Sequence, residues 1–344
     1  MTIPVTDASL VLRDKAVEKA KKRRSTMSEG YWDYHDSREW MERTAKRNLP
    51  PLIITAALTG GVQGKELNPN HPETAQEQAE QAYECYKLGA SIIHIHARCE
   101  DNPTKPTQDP DRYREINSLI RDKCPDVIIN NTTGGGPGMP MEERMRSVEA
   151  EPEMCSLTMG PQGSRLRLAE RPPYRPEPVF ITEVMPANFD NIEVFAQAMA
   201  ERDIKPEMEI YHDGLFPVLN HIIRKGLVKK PYWVQLIMGT STGAEASPKT
   251  LIHMMELVPK DTMASVISIG DFQTPMITLG ILLGLHVRTG MEDNPYYEPG
   301  VPCTGNGQLV ERVVRISREL GRRIATPKEA RQMLELSEVP RRWR

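Results

Sequence analysis

Two histidines one residue apart are the first feature of this sequence that points to chemistry. His94 and His96 lie in the run SIIHIHARCE, residues 91–100, with isoleucines before and between them. Side chains alternate between the two faces of a β-strand, so a strand here places both imidazoles on the same face. Imidazole is a common ligand of zinc and iron. The pair therefore either binds a metal or fills the core as hydrogen-bonded histidines.

Two carboxylates and a guanidinium lie close together in the run RTGMEDN, residues 288–294. Two histidines and a carboxylate from another strand form a three-ligand site with open positions, which suits catalytic zinc or ferrous iron. Glu292 is the expected third ligand, because the adjacent Asp293 must point elsewhere. Arg288 would pair with Asp293 and lower the pKa of its carboxyl, so that Asp293 could act as a base towards a polarised C–H bond. The alternative is a structural salt bridge.

Further polar residues follow other strand candidates. The run TTGGG, residues 132–136, offers hydroxyls and unhindered backbone N–H groups that can hold a carboxylate, although a glycine-rich turn alone is a weak signal. The residues of interest here are Thr132, Thr133, Gly134 and Gly135. Thr158 ends the fourth strand candidate, and the fifth carries Glu207 and Glu209 on one face. Polar groups thus collect at one rim.

These residues are positioned by an alternation of β-rich runs and amphipathic helical patterns. The strand candidates are residues 51–57, 91–96, 126–132, 154–160, 207–212, 232–239, 263–270 and 285–290. The helical patterns are residues 73–89, 109–122, 140–150, 190–203, 215–225, 247–257, 273–284 and 307–321. Eight strand–helix pairs predict an α/β fold of the (β/α)8 TIM-barrel type, with active-site residues at the carboxyl ends of the strands. No GxGxxG follows the first strand, which weakens a dinucleotide-binding alternative.

Two segments flank the predicted barrel of residues 49–325. Residues 1–48 are predicted to form a charged helical extension whose aromatic residues pack on the barrel or on a neighbouring subunit. Residues 326–344 begin with TPKE, a capping box with proline at the first helical position, and predict a short closing helix. Within the barrel, residues 160–180 are expected to form a long loop rich in proline and arginine, and a loop of that length is usually functional.

Composition excludes several classes of protein. The formal net charge is −3 over 344 residues, which argues against a nucleic-acid partner. The sequence has no apolar run long enough for a membrane span and no signal-peptide core, so we expect a cytoplasmic protein. The five cysteines show no CxxC pair, which fits a reducing compartment. Cys99, three residues after His96, is a weaker ligand candidate, because lone cysteines are usually small core residues.

Seven motifs, taken in order, resemble those of the beta-keto acid cleavage enzymes, whose founding activity is cleavage of 3-keto-5-aminohexanoate. They are PLIITAALTGG, HIHAR, TTGGG, SLTMG, KPEMEIY, RTGMEDN and NGQLVERVVRISRELGRRIATPKEAR. The resemblance covers about residues 50–336. It implies a zinc-dependent (β/α)8 barrel, typically a homotetramer. Such an enzyme converts a small β-keto acid and acetyl-CoA into acetoacetate and a new acyl-CoA.

The resemblance also implies roles for individual residues. His94, His96 and Glu292 would bind zinc, which would polarise the keto oxygen of the substrate. Asp293, held by Arg288, would remove the α-proton, and the resulting carbanion would attack the acetyl thioester before a retro-Claisen cleavage. Thr132 and Thr158 match hydroxyl positions around the substrate. Glu209, or Glu207 on the same face, would contact one of the metal-binding side chains and help to orient it.

This sequence departs from the family pattern at positions that bear on substrate preference and on CoA binding. Val62 stands after TGG, where the 3-keto-5-aminohexanoate enzyme uses a glutamate to hold the substrate ammonium. An apolar side chain cannot pair with a cation, so we expect that 3-keto-5-aminohexanoate is not the preferred substrate. Asp271 stands where many relatives have an arginine, which puts CoA phosphate contacts after strand seven in doubt. Four arginines could compensate or could simply be solvated, namely Arg165, Arg167, Arg171 and Arg175.

Two other functions were compatible with a barrel of this kind. A metal-dependent hydrolase of the amidohydrolase type would have HxH on the first strand and further histidines after strands five and six. Here HxH falls on the second strand candidate, the sixth ends in IMGTSTG without a histidine, and His212 is a partial match. A barrel that binds a ligand without catalysis would be expected to carry an incomplete site.

Overall fold

Eight parallel strands close into a barrel in the computed structural model of this protein, which describes residues 32–343. Each strand pairs with the next along the chain, and the last pairs with the first. The strands are β1 (Ile54–Ala57), β2 (Ile92–Ile95), β3 (Ile128–Asn131), β4 (Met154–Thr158), β5 (Lys205–Ile210), β6 (Tyr232–Met238), β7 (Thr262–Ser268) and β8 (His286–Thr289). The predicted (β/α)8 barrel is therefore confirmed, and each predicted strand overlaps an observed one.

Helices separate the strands, as the amphipathic patterns predicted. They are Ala75–Leu88, Pro110–Lys123, Met141–Arg144, Phe189–Glu201, Phe216–Arg224, Pro248–Leu257, Gln273–Leu282 and Asn306–Glu319. The predicted helix of residues 140–150 is only four residues of α-helix, continued by the 3₁₀ helix Met145–Ala150. Local sequence sets several helix starts. Thr74 and Glu77, for example, form a capping box that satisfies backbone N–H groups at the start of Ala75–Leu88.

The amino-terminal end of the barrel is closed by the last helix, Pro327–Met333. Its capping box between Thr326 and Glu329 forms as predicted. Apolar side chains at the starts of the strands pack against this helix and form a separate core cluster. Its members include Ile53, Ile92, Ile128, Met154, Trp233, Met263, Ala330 and Met333. Because this end is filled with apolar side chains, the opposite end is where a polar site can open.

The described part of the amino-terminal extension packs on the barrel. It contains the helix Ser37–Ala45, and its aromatic residues make hydrogen bonds to the barrel. The indole N–H groups of Trp32 and Trp40 donate to the carbonyls of Gly284 and Leu282, and the Tyr34 hydroxyl accepts from the backbone N–H of Ala264. The rest of the predicted extension, including Tyr31, lies outside the described residues.

The connection after β4 is a β-hairpin, which corrects the expectation of a long loop. Strands Gln162–Leu168 and Val179–Met185 pair antiparallel over seven residues, and we name this pair the mouth hairpin. Its strands alternate in exposure. Phe180 and Val184 point outwards and are 68% and 65% exposed, whereas Met185 is buried. No helix among residues 32–343 is long and apolar enough to cross a membrane.

Candidate active site

A cavity of about 340 Å³ opens at the carboxyl end of the barrel. Its lining comes from the ends of β2 and of β4 to β8, from the loops after β1, β3 and β6, and from the mouth hairpin. Predicted site residues that line it are Val62, His94, His96, Thr132, Gly134, Gly135, Thr158, Glu209, Arg288, Glu292 and Asp293. The structure thus brings together residues from six segments that lie far apart in the sequence.

Thr133 is the exception among the predicted substrate residues. It is not among the residues that line this cavity, and its hydroxyl donates instead to the backbone carbonyl of Ser156 at 2.7 Å. The backbone N–H of Thr133 also donates to the Ser156 hydroxyl. Neighbouring residues on an extended segment face opposite ways, so only one of the two threonines can face the cavity. Thr133 therefore anchors the glycine-rich loop to β4.

His94, His96 and Glu292 form a compact set of potential metal ligands. One potential ligand atom from each residue lies within 4.8 Å of the others. Glu292 Oε1 lies 3.7 Å from His94 Nε2 and 3.3 Å from His96 Nε2. Two imidazole nitrogens and a carboxylate oxygen suit zinc or ferrous iron. The buried Glu292 Oε2 has no hydrogen-bond partner within the described chain, which also fits a ligand position. Cys99 does not belong to this set.

Gly60, in the loop after β1, leaves room for the Glu292 side chain to reach the histidines. Gly60 adopts a φ of +70°, and a Cβ built on it would lie 2.7 Å from the Glu292 Cγ. A larger residue at this position would therefore push Glu292 away. The Gln63 side-chain amide donates to the carbonyls of Met291 and Glu292, both at 2.8 Å. The loop after β1 thus fixes the position of Glu292 through the Gln63 hydrogen bonds to its backbone and the close approach of Gly60 to its side chain.

Glu207 and Glu209 have different environments, although the sequence placed them on one face of β5. Glu207 lies beneath the metal-ligand set, with Oε1 3.9 Å from His94 Nδ1, and accepts hydrogen bonds from Asn130 and Trp233 at 2.9 Å each. Glu209 lines the cavity and accepts from the Thr158 hydroxyl at 2.8 Å. Burial raises the pKa of Glu207, and it raises the pKa of Glu209 to about 7.

Arg288 and Asp293 form a buried pair with two hydrogen bonds. Arg288 Nε lies 3.1 Å from Asp293 Oδ2, and Nη2 lies 2.8 Å from Oδ1. The same Nη2 donates to Glu292 Oε1 at 2.5 Å. The sequence predicted that the arginine would lower the pKa of Asp293, but burial raises it to about 7. Arg288 does oppose the rise, yet removal from water and the charge of Glu292 outweigh it.

The sequence predicted a functional loop after β4 but not its hairpin structure, which brings five further residues to the cavity wall. The hairpin residues that line the cavity are Gln162, Ser164, Leu166, Glu183 and Met185. The period-two alternation of QGSRLRL, residues 162–168, was the available signal. The prolines and arginines that follow this run obscured it.

Ion pairs join the tip of the mouth hairpin to the loop after β1. Arg171 pairs with both oxygens of Glu73, one of them at 2.7 Å, and also with Glu66 at 3.2 Å. Arg175 pairs with Glu66 at 3.0 Å. We name these four residues the latch. Arg171 and Arg175 are therefore engaged within the chain, whereas Arg165 and Arg167 are exposed.

A family model for beta-keto acid cleavage enzymes matches residues 51–336 of this sequence, which is most of the chain. The chain belongs to the beta-keto acid cleavage enzyme family. It is an enzyme of that family by sequence, and the resemblance of its motifs is confirmed. Membership in this family argues against both the amidohydrolase-type alternative and the non-catalytic alternative.

Relatives of this family member are named for different substrates. A protein from Fusobacterium nucleatum subsp. nucleatum named 3-keto-5-aminohexanoate cleavage enzyme is 41% identical over 289 residues, 84% of this chain and 99% of the relative. One of the same name from Acetoanaerobium sticklandii is 38% identical over 290 residues, 84% and 100% of the two chains. A 3,5-dioxohexanoate:acetyl-CoA acetone transferase from Paraburkholderia graminis is 33% identical over 298 residues, 83% and 96%.

A solved structure shares the fold of this family member at low sequence identity. The structure described as a ternary complex of ObcA with a C4-CoA adduct and oxalate aligns with a TM-score of 0.62 and 16% identity. The alignment covers 78% of this chain and 68% of ObcA. At this identity the likeness concerns the barrel fold alone.

Proposed function

We propose that this protein is a metal-dependent enzyme that condenses a β-keto acid with acetyl-CoA and then cleaves the product to acetoacetate and a new acyl-CoA. The observation that carries the proposal is the buried Arg288–Asp293 pair beside the ligand set of His94, His96 and Glu292. A base and a metal site at one end of one cavity suit proton removal next to a ketone. Several relatives are named for acetyl-CoA-dependent reactions of keto acids.

Asp293 would begin the reaction by accepting the proton from the carbon between the keto group and the carboxylate. With a pKa of about 7, it is a base whose strength suits neutral pH. Arg288 holds both carboxylate oxygens and so fixes the direction of that base. A divalent metal held by His94, His96 and Glu292, which we propose to be zinc, would supply Lewis acidity at the keto oxygen.

The later steps exchange one acyl group for another. The carbanion attacks the acetyl thioester, a C–C bond forms, and the CoA thiolate leaves. The thiolate then attacks the ketone of the original substrate, and cleavage of the adjacent C–C bond yields the new acyl-CoA. The released acetoacetate carbanion takes its proton back from Asp293. No oxidant, reductant or net loss of CoA is required.

The cavity walls support a division of roles in substrate binding. Thr132, Gly134 and Gly135 line the side formed by the loop after β3, where we place the substrate carboxylate. Thr158 and Glu209 are hydrogen-bonded to each other on the floor, within reach of a substrate oxygen. Because the latch occupies Arg171 and Arg175, the exposed Arg165 and Arg167 are the hairpin arginines left to contact CoA phosphates.

Val62 supports a substrate other than 3-keto-5-aminohexanoate. It lines the cavity from the loop after β1, where it offers no charge to an ammonium group. The homotetrameric assembly and the cytoplasmic location expected from the sequence are part of the same proposal and rest on the resemblance to the family and on composition.

A panel assay tests the proposed function. Zinc-loaded enzyme is incubated with acetyl-CoA and β-keto acids whose tails are aliphatic, hydroxylated, anionic or cationic, and acetoacetate is measured. We expect acetoacetate from at least one keto acid, and a rate lower by about 10²- to 10⁴-fold from the Asp293→Asn variant. Metal-loaded protein that is inert with the whole panel would overturn the assignment. Retained activity of Asp293→Asn would overturn the role of the base.

A further inference from the structure

Glu183 places a carboxylate in the cavity wall at a distance along the chain from every motif of the family. It lies on the second strand of the mouth hairpin, opposite Ser164 in the antiparallel register. Both residues line the cavity, and so do their same-face neighbours Met185 and Leu166. Thr182 and Val184 lie on the outer face and are exposed. The pleat of the hairpin therefore directs Glu183 towards the space that a substrate tail would fill.

One oxygen of this carboxylate is used within the chain. Glu183 Oε2 accepts a hydrogen bond from the backbone N–H of Gly138 at 2.6 Å. Among residues 32–343, no side chain forms a salt bridge with Glu183. The carboxylate is thus held in position by the loop after β3 while its charge remains available to a ligand.

The cations that line the cavity are engaged elsewhere. Arg288 pairs with Asp293 and Glu292. Arg144 is near enough to act electrostatically on Glu183, but its three donor groups face backbone carbonyls of the glycine-rich loop: Nη1 donates to Gly134, Nη2 to Gly136 at 2.9 Å and Nε to Met139 at 2.8 Å. The partly buried carboxylate of Glu183 therefore lacks a hydrogen-bonded cationic partner within the described part of the chain.

We infer that Glu183 is a specificity-determining residue that binds a cationic group at the end of the substrate tail, so that the preferred β-keto acids carry an ammonium or quaternary ammonium tail. The inference rests on the proposed function. A carboxylate fixed in a partly enclosed wall, with one oxygen already oriented, attracts a cation more strongly than a solvated one. Val62 provides no such partner, so the tail must place its cation at the mouth hairpin and not at the loop after β1.

The test compares a β-keto acid with a trimethylammonium tail and its uncharged tert-butyl counterpart of nearly equal shape. Acetoacetate formation is measured with wild type, Glu183→Gln and the control Glu177→Gln, which removes an exposed carboxylate of the same segment that does not line the cavity. Glutamine keeps an oxygen that can accept from Gly138. We expect Glu183→Gln to lower kcat/KM for the cationic acid roughly 10- to 100-fold and to leave the uncharged acid nearly unchanged. Glu177→Gln should match wild type.

The possible results separate the inference from the proposed function. If Glu183→Gln lowers activity on both acids equally, Glu183 acts only as an anchor of the loop after β3 and the inference is wrong. The same holds if wild type prefers the uncharged acid. If wild type forms acetoacetate from neither these acids nor any other β-keto acid, the proposed function fails, and the inference fails with it.

Discussion

Arg288 holds both oxygens of Asp293, and through the same Nη2 it also contacts Glu292. One guanidinium thus links the proposed base to the proposed metal ligand next to it in sequence. Glu292 Oε1 also faces His94 and His96, whereas both oxygens of Asp293 are turned towards the arginine. This arrangement lets adjacent residues take separate roles, and separate substitutions can test them.

Glu292→Gln is expected to lower the metal content of the protein, whereas Asp293→Asn is expected to leave it unchanged. Replacing Glu292 removes a charged ligand, so the purified variant should lose most of its bound metal. Asp293→Asn keeps the ligand set but removes the base, so it should retain metal and lose about 10²- to 10⁴-fold in kcat. Elemental analysis and steady-state kinetics of both variants provide the measurement. Equal metal content and activity in both would show that the roles are assigned wrongly.

The pH dependence of kcat/KM should reflect the protonation of Asp293. The pKa of this carboxyl is about 7, so activity should fall as the pH drops below 7, because a protonated carboxyl cannot accept the α-proton. Arg288 lowers this pKa. Removing it in Arg288→Met should therefore move the acid limb to higher pH, whereas Arg288→Lys, which keeps a charge, should move it less. Superimposable pH profiles would argue against an electrostatic role for Arg288.

The latch should hold the mouth hairpin over the cavity. Glu73 is 4% exposed, so Arg171→Met leaves a buried carboxylate without its main partner and should cost roughly 1–3 kcal/mol of unfolding free energy. It should also raise the KM for the keto acid and speed proteolysis within residues 162–185. Arg146→Met, which removes an exposed arginine that lies outside both the cavity lining and the mouth hairpin, is the control. Identical proteolysis and KM in the two variants would mean that the ion pairs do not hold the hairpin.

Acid should destabilise the fold through His286. Burial, with a smaller contribution from Arg322, keeps the pKa of His286 well below its usual value. Its Nδ1 accepts a hydrogen bond from the backbone N–H of Ile53 at 3.1 Å. Below pH about 6.5 the unfolded chain binds a proton at this histidine that the folded chain does not bind, so unfolding becomes easier by up to about 1.4 kcal/mol per pH unit.

His71 acts in the same direction, because burial lowers its pKa to about 4. Its share of the stability is present above pH about 6.5 and is lost as the pH falls towards 4. Urea unfolding at pH 5, 6 and 7 measures the combined slope. His286→Asn, which can still accept from Ile53, should reduce this slope, and the exposed control His253→Asn should not. A slope unchanged in His286→Asn would contradict this account.

Local patterns predicted the barrel and the end of it at which most candidate residues gather, because alternating strands and helices impose periodicities that one sequence displays. His94 and His96 could be placed on one face of β2 for the same reason. The orientation of Thr133 could not be predicted, because the sequence does not show which of two adjacent threonines at the end of β3 faces the cavity. The raised pKa of Asp293 was also missed, since the degree of burial depends on packing from six segments. Glu183 lay between the predicted loop of residues 160–180 and the predicted helix of residues 190–203, in a stretch for which the sequence predicted no element.

The most direct test of the central claim follows the carbon atoms of the acetyl group. Zinc-loaded enzyme is given acetyl-CoA with both acetyl carbons labelled with ¹³C, together with an unlabelled β-keto acid accepted in the panel assay, and the products are read by NMR and mass spectrometry. The account predicts label in the ketone and methyl carbons of acetoacetate and none in the new acyl-CoA. Unlabelled acetoacetate, or label retained only in acetyl-CoA while the keto acid is consumed, would contradict it.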